Sequence, residues 1–183
     1  MSERNTVVRA LHDLGAAAWF GGSLMGAVGL NGAAAAAKDP QERTRLSSIG
    51  WARWTPWQVA GIVAHAIGGI GVLIGNRRRV AVQREAQGAS IAKVVVTAAA
   101  MGVTAWAGLQ GSTVARRSQE GAQGATEPDS GSSDELASAQ RQLKAAQWLL
   151  PVLTGALVVI GTIHGEQQRG PAGVLDMARR RRR

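Results

Sequence analysis

The chain contains no cysteine, which excludes disulfides, thiolate-held metals and cysteine nucleophiles. It also lacks charge over long distances. Val7–Ala37, Pro56–Gly75, Ile91–Ala115 and Gln147–Gly165 carry almost no Asp, Glu, Lys or Arg. Nucleophile motifs, a Walker loop and a dinucleotide fingerprint are absent as well. The 24 glycines cluster inside apolar runs rather than after a strand, where a phosphate loop would need them. Only three histidines occur, and none has a His-x-x-His or Glu-x-x-His partner on its own segment.

What remains is four apolar segments, each near the ~20 residues that cross a bilayer as a helix. The mean hydropathy of −0.02 and apolar fraction of 45% look low for a membrane protein, but basic loops and tail dilute the average. A soluble bundle of Ala- and Gly-rich helices would place polar residues along one face of each helix every three or four positions. Val59–Gly75 and Val94–Ala115 contain no Asp, Glu, Lys or Arg at all. The expectation is therefore an all-α, four-helix transmembrane bundle forming one membrane domain over residues 1–183, located in a bacterial inner membrane. The first apolar region is too long for the core of a cleaved signal peptide.

Local signals divide the chain further. Asp39-Pro40 marks a turn and helix start. Trp51, Trp54 and Trp57 gather at the entrance to the second span, as tryptophan does at a membrane interface. Pro56 suits the first turn of that span, and Gly75-Asn76 a helix stop. Residues 116–133, rich in Gly, Ser, Gln and acidic side chains, read as a flexible connection. Ser133-Asp134-Glu135 reads as the start of a helix leading into the fourth span, and residues 166–183 as a basic cytoplasmic tail.

Orientation follows the basic residues. With four spans, both termini and the second loop share a side that holds 13 of the 21 Lys and Arg, against 8 on the other. That bias places both termini in the cytoplasm. Arg77, Arg78 and Arg79, with Arg179, Arg180, Arg181, Arg182 and Arg183, are then expected to contact anionic lipid headgroups. A net charge of +9 and a pI near 11.6 would also suit nucleic acid. However, no aromatic residues interleave with the terminal arginines, so membrane lipid is the favoured partner and nucleic acid is not.

The spans are glycine-lined. Gly22/Gly26, Gly71/Gly75 and Gly161/Gly165 have the four-residue spacing that brings helix backbones together in lipid, within one bundle or across a homo-oligomer or larger membrane complex. Ionisable groups at membrane depth are costly and so are candidate sites. His12, His65 and His164 are the candidates here, as ligands for haem b or a metal ion. A haem would need two such ligands facing each other across the bundle.

The segment Leu11-His12-Asp-Leu-Gly-Ala-Ala-Ala-Trp19-Phe20-Gly21-Gly22 resembles the opening helix of copper-resistance D-like small four-helix membrane proteins, which read Leu-His followed by Trp-x-Gly-Gly. The resemblance implies a four-helix membrane fold and, in some relatives, copper or haem handling. The absence of cysteine and the isolated Met25 and Met101 depart from a copper-transport pattern. The leading functional expectation is a multi-pass, non-catalytic structural or accessory component. A haem- or metal-binding redox protein and a small-solute transporter or channel are the alternatives.

Overall fold

The computed structural model describes the backbone of residues 3–82 and 84–168 and, within these, the side chains of 6–75, 88 and 90–162. Every regular element among them is helical. Helix α1 (Glu3–Met25) continues through a widened π-helical turn (Gly26–Leu30) into the short α2 (Asn31–Ala35). A sharp turn leads to α3 (Pro40–Val82), then α4 (Arg84–Arg116), a single 3-10 turn (Ser118–Glu120) and α5 (Asp134–Gln168).

The helix starts obey their local signals. Asp39 Oδ1 accepts the Gln41 backbone N–H at 2.9 Å, which caps α3. Ser133 Oγ accepts the Leu136 N–H at 3.3 Å and caps α5. The four rods pack in a ring, with α1 and α4 each lying between α3 and α5. The α2–α3 turn and the α4–α5 loop lie at one end, where Pro40 O accepts the Ala122 N–H at 3.3 Å. Neighbouring rods in the ring are therefore antiparallel.

Three helices are long and apolar enough to cross a membrane: Pro40–Gly75, Ser90–Arg116 and Asp134–Thr162. The distribution of polarity is inverted relative to a soluble bundle. Inside lie Ser23, Asn31, Gln58, His65, Gln147 and Thr154, all buried. Outside lie Trp57, Ile70, Ile91, Val94, Leu109 and Val152, all at least 60% exposed. Water would penalise that outer face over all three spans, whereas lipid would not.

Four features differ from what the local signals suggest. Pro56 sits well inside α3 rather than in its first turn, because the helix starts at the stronger Asp39-Pro40 signal. Gly75-Asn76 does not stop α3, which continues to Val82. The first apolar run is not one uniform helix, since the π-helical turn at Gly26–Leu30 widens it and α2 ends at Ala35. Residues 116–133 are pinned rather than left as a loose connection. Gln140, fully buried, donates from Nε2 to the Gly124 and Ala125 carbonyls at 3.1 and 3.3 Å. Arg43 reaches the Gln123 carbonyl at 3.1 Å and Thr44 the Ser118 carbonyl at 2.8 Å. Gly121, at φ 74°, turns the chain tightly over Pro40.

Candidate functional site

The α1–α3 seam carries the most chemistry, and glycine makes it. A Cβ at Gly15 would stand 2.5 Å from the Gly61 carbonyl oxygen and the His65 nitrogen, and one at Gly68 would overlap the backbone of Val8 and His12. Helices can meet at such range only where side chains are missing. Farther along the same seam, the rings of Trp54 and Trp51 fill the space over Gly22 and Gly26.

This close approach brings together two histidines 53 positions apart. The rings of His12 and His65 stack with centroids 4.0 Å apart and planes 18° from parallel. His12 Nδ1 lies 2.8 Å from the His65 carbonyl oxygen, and His65 Nδ1 lies 3.0 Å from the His12 carbonyl oxygen. A carbonyl oxygen only accepts, so each Nδ1 carries the hydrogen and donates it across the seam. The result is a reciprocal clasp between α1 and α3. His65 is buried and His12 half-buried.

One other helix, α4, reaches the clasp, and Trp19 of α1 packs beside it. Thr97 Oγ1 on α4 lies 3.5 Å from His65 Nε2. Trp19, completely buried, sets its ring edge-on to His65 at 6.3 Å and donates from Nε1 to Thr104 Oγ1 at 3.2 Å. Thr104 in turn donates to the Ala100 carbonyl at 2.8 Å. Trp19 packs with Ala100 and Leu157, so one indole joins α1, α4 and α5.

A second polar knot sits toward the loop end. Asn31 follows directly on the π-helical turn, which aims its side chain inward. Its Nδ2 donates to Gln147 Oε1 at 2.6 Å, and its Oδ1 accepts from Ser47 Oγ at 3.2 Å and Trp51 Nε1 at 3.0 Å. Both amides are buried. In a low-dielectric interior, groups bonded to one another across helices in this way favour one arrangement of the helices.

The candidates of the sequence reading fare differently. His12 and His65 come together, but as stacked rings. A planar macrocycle cannot enter a 4.0 Å gap between parallel rings, and bis-histidine ligation requires the two Nε2 atoms to face each other across the iron. This pair therefore does not fit haem b as its two axial ligands. His164 lies on α5, and its side chain falls outside the described residues. The side chains of Arg77, Arg78 and Arg79, and Arg179 to Arg183 entirely, also fall outside them. No group of three or more His, Cys, Asp or Glu able to hold a metal occurs among the described residues. Asn31, Thr104 and Gln147 carry no local motif that marks them, and Trp19 stands out only within the Leu11–Gly22 segment. The available signal was their isolation as hydrogen-bonding side chains in apolar runs.

At the loop end, exposed ion pairs hold the α4–α5 connection. Arg117 pairs with Glu120 at 2.8 Å and with Glu135. Ser133, through its side chain and its backbone N–H, and Arg117 together hold the Glu120 carboxyl down to about 2. Burial pushes Glu127 up, but hydrogen bonds from Thr126 and the ion pair with Lys144 at 3.2 Å outweigh it and leave the carboxyl below its ordinary range.

No family model, curated protein or solved structure matches the chain. The class rests on the architecture itself: an all-helical protein in which three helices are able to cross a membrane.

Proposed function

We propose that this chain is a small integral protein of a bacterial inner membrane. It spans the bilayer four times with both termini in the cytoplasm, and it works as a non-catalytic scaffold or accessory component. The observation that carries this reading is the inverted polarity of the bundle, with hydrogen-bonded amides, hydroxyls and an imidazole inside and bare aliphatic side chains outside. A soluble protein would gain nothing from that arrangement. α1 supplies the fourth span in this reading, because the run Leu14–Ala37 carries no charged residue and Trp19 is held at the centre of the bundle.

His12 with His65, and Asn31 with Ser47, Trp51 and Gln147, are engaged with one another across helices, which supports a scaffold over an open solute path. The basic bias toward the termini and the α3–α4 connection supports anionic lipid as the partner of that face. The likeness of Leu11–Gly22 to copper-resistance D-like proteins extends the same proposal to a shared four-helix plan. The test is extraction. The expressed protein should stay with membranes through alkaline carbonate and leave them only in detergent. Recovery as a monodisperse soluble species in plain buffer would overturn the reading.

A further inference from the structure

The clasp between His12 and His65 limits where protons can go. With each Nδ1–H committed to a carbonyl of the other helix, each ring has a single vacant position, Nε2. At His65 that nitrogen faces Thr97 Oγ1, whose hydroxyl donates to a neutral imidazole and can rotate to accept from a charged one. One added proton therefore leaves every bond of the clasp intact.

A second proton does not. It would place two cations face to face with centroids 4.0 Å apart, in surroundings that screen far less than water. The rings cannot relieve this by sliding apart alone, since each is tied to the opposite backbone and the seam has no slack at Gly15 and Gly68. Relief requires α1 to move from α3. Interacting sites of this kind titrate as a pair, in two separated steps.

Among the described residues the charged surroundings are few. On α1 they are Asp13 and Arg9, and on α4 Lys93, which acts on His65 together with Asp13. α3 has no ionisable side chain between Trp54 and Asn76 except His65, and α5 has none from Ala145 to Thr162. His164 and Glu166 follow on α5, with side chains outside the described residues.

We propose that the His12–His65 pair is a proton-operated catch between α1 and α3, closed with no proton or one and released by the second. It adds a pH response that a passive scaffold lacks. Only three histidines are present, so nitrogen-15 NMR of labelled histidine in the full chain with His164→Gln reports on this pair alone. At neutral pH both rings should show the Nδ1–H tautomer, the less common form in free histidine. On acidification the pair should take up one proton in a first step and a second in a distinct, more acidic step.

Because the chain has no native thiol, spin labels at Leu14→Cys and Ile67→Cys, both on exposed positions, measure the seam. Their separation should hold through the first step and lengthen by several ångströms in the second. In His12→Gln, which keeps a neutral donor, the lengthening should vanish. The proposal is overturned if either ring carries its proton on Nε2 at neutral pH. Two independent, ordinary one-proton steps would also overturn it, as would a label distance that never changes. The tautomer and distance measurements use the intact pair, so they decide the matter even if the glutamine variant fails to fold.

Discussion

At position 68 a methyl group has nowhere to go, and at position 21 it meets nothing within 4 Å. The two glycines therefore predict opposite outcomes for the same substitution. Gly68→Ala forces its Cβ into the backbone of Val8 and His12, an overpacked contact that should cost about 1–3 kcal/mol. Gly21→Ala on the outer face should be neutral or stabilise by up to ~1 kcal/mol, through the better helix propensity of alanine. Thermal unfolding in detergent, followed by helical circular dichroism, separates them. Equal midpoints for the two variants would contradict the seam. In the sequence both are glycines within apolar runs, and spacing shows which residues share a face but not which face meets a neighbour. The same holds for histidine. His12 and His65 were legible as costly groups in apolar runs, but their pairing depends on a contact between segments 53 positions apart, which no local pattern encodes. Asn31 and Gln147 became a site for the same reason: a π-helical turn rotates one toward the other, and that turn has no sequence signature here.

Among the elements, the helices were the most legible part. Runs without charge located α3, α4 and α5, and the caps at Asp39 and Ser133 fixed two of their starts. The connection at 117–133 was the least legible, because its composition is that of a solvated coil. What orders it lies elsewhere in the chain, in Arg43, Thr44 and Gln140. Glu120 makes its order pH-dependent. Its carboxyl has a lower pKa folded, about 2, than the 4.5 of an unperturbed glutamate. A group with a depressed folded value contributes stability that is complete above the unfolded value and disappears as pH falls through the folded one. The link from Glu120 to Ser133 and Arg117 should thus be intact above about pH 4.5 and lost progressively toward pH 2. Glu127 is depressed as well, so it contributes in the same direction. Hydrogen exchange of the backbone amides from Gly121 to Ser132, corrected for intrinsic rates, should show faster opening across that window while the α1–α3 seam serves as reference. Glu120→Gln should show the faster opening already at neutral pH. Unchanged protection down to pH 2 would mean that the ion pairs do not hold the loop.

On the scale of the whole molecule, the decisive number is how many times the chain crosses the bilayer, because it determines which ends share a compartment. Four charge-free runs are present: 14–37, 54–76, 94–115 and 145–165. At 1.5 Å per residue, a run of ~20 or more matches the ~30 Å apolar core of a bilayer. Three of these runs belong to helices that satisfy length and hydropathy together. The first belongs to the rod that donates Trp19 and His12 to the interior. If α1 lay flat on the surface, it would pull Trp19 away from Thr104, Ala100 and Leu157, so the packing favours its crossing with the rest. Four crossings put Thr6 and Gly88 on one side and Ser130 on the other, whereas three would separate Thr6 from Gly88. Single cysteines at these positions in the thiol-free chain distinguish the two with a membrane-impermeant maleimide applied to intact cells. Ser130→Cys should label from outside, while Thr6→Cys and Gly88→Cys should label only after the cells are opened. Outside labelling of Thr6→Cys together with Ser130→Cys, but not of Gly88→Cys, would mean three spans. Outside labelling of both Thr6→Cys and Gly88→Cys would keep four spans but invert them, and the excess of basic residues on that side would then have to be explained by a partner other than cytoplasmic anionic lipid.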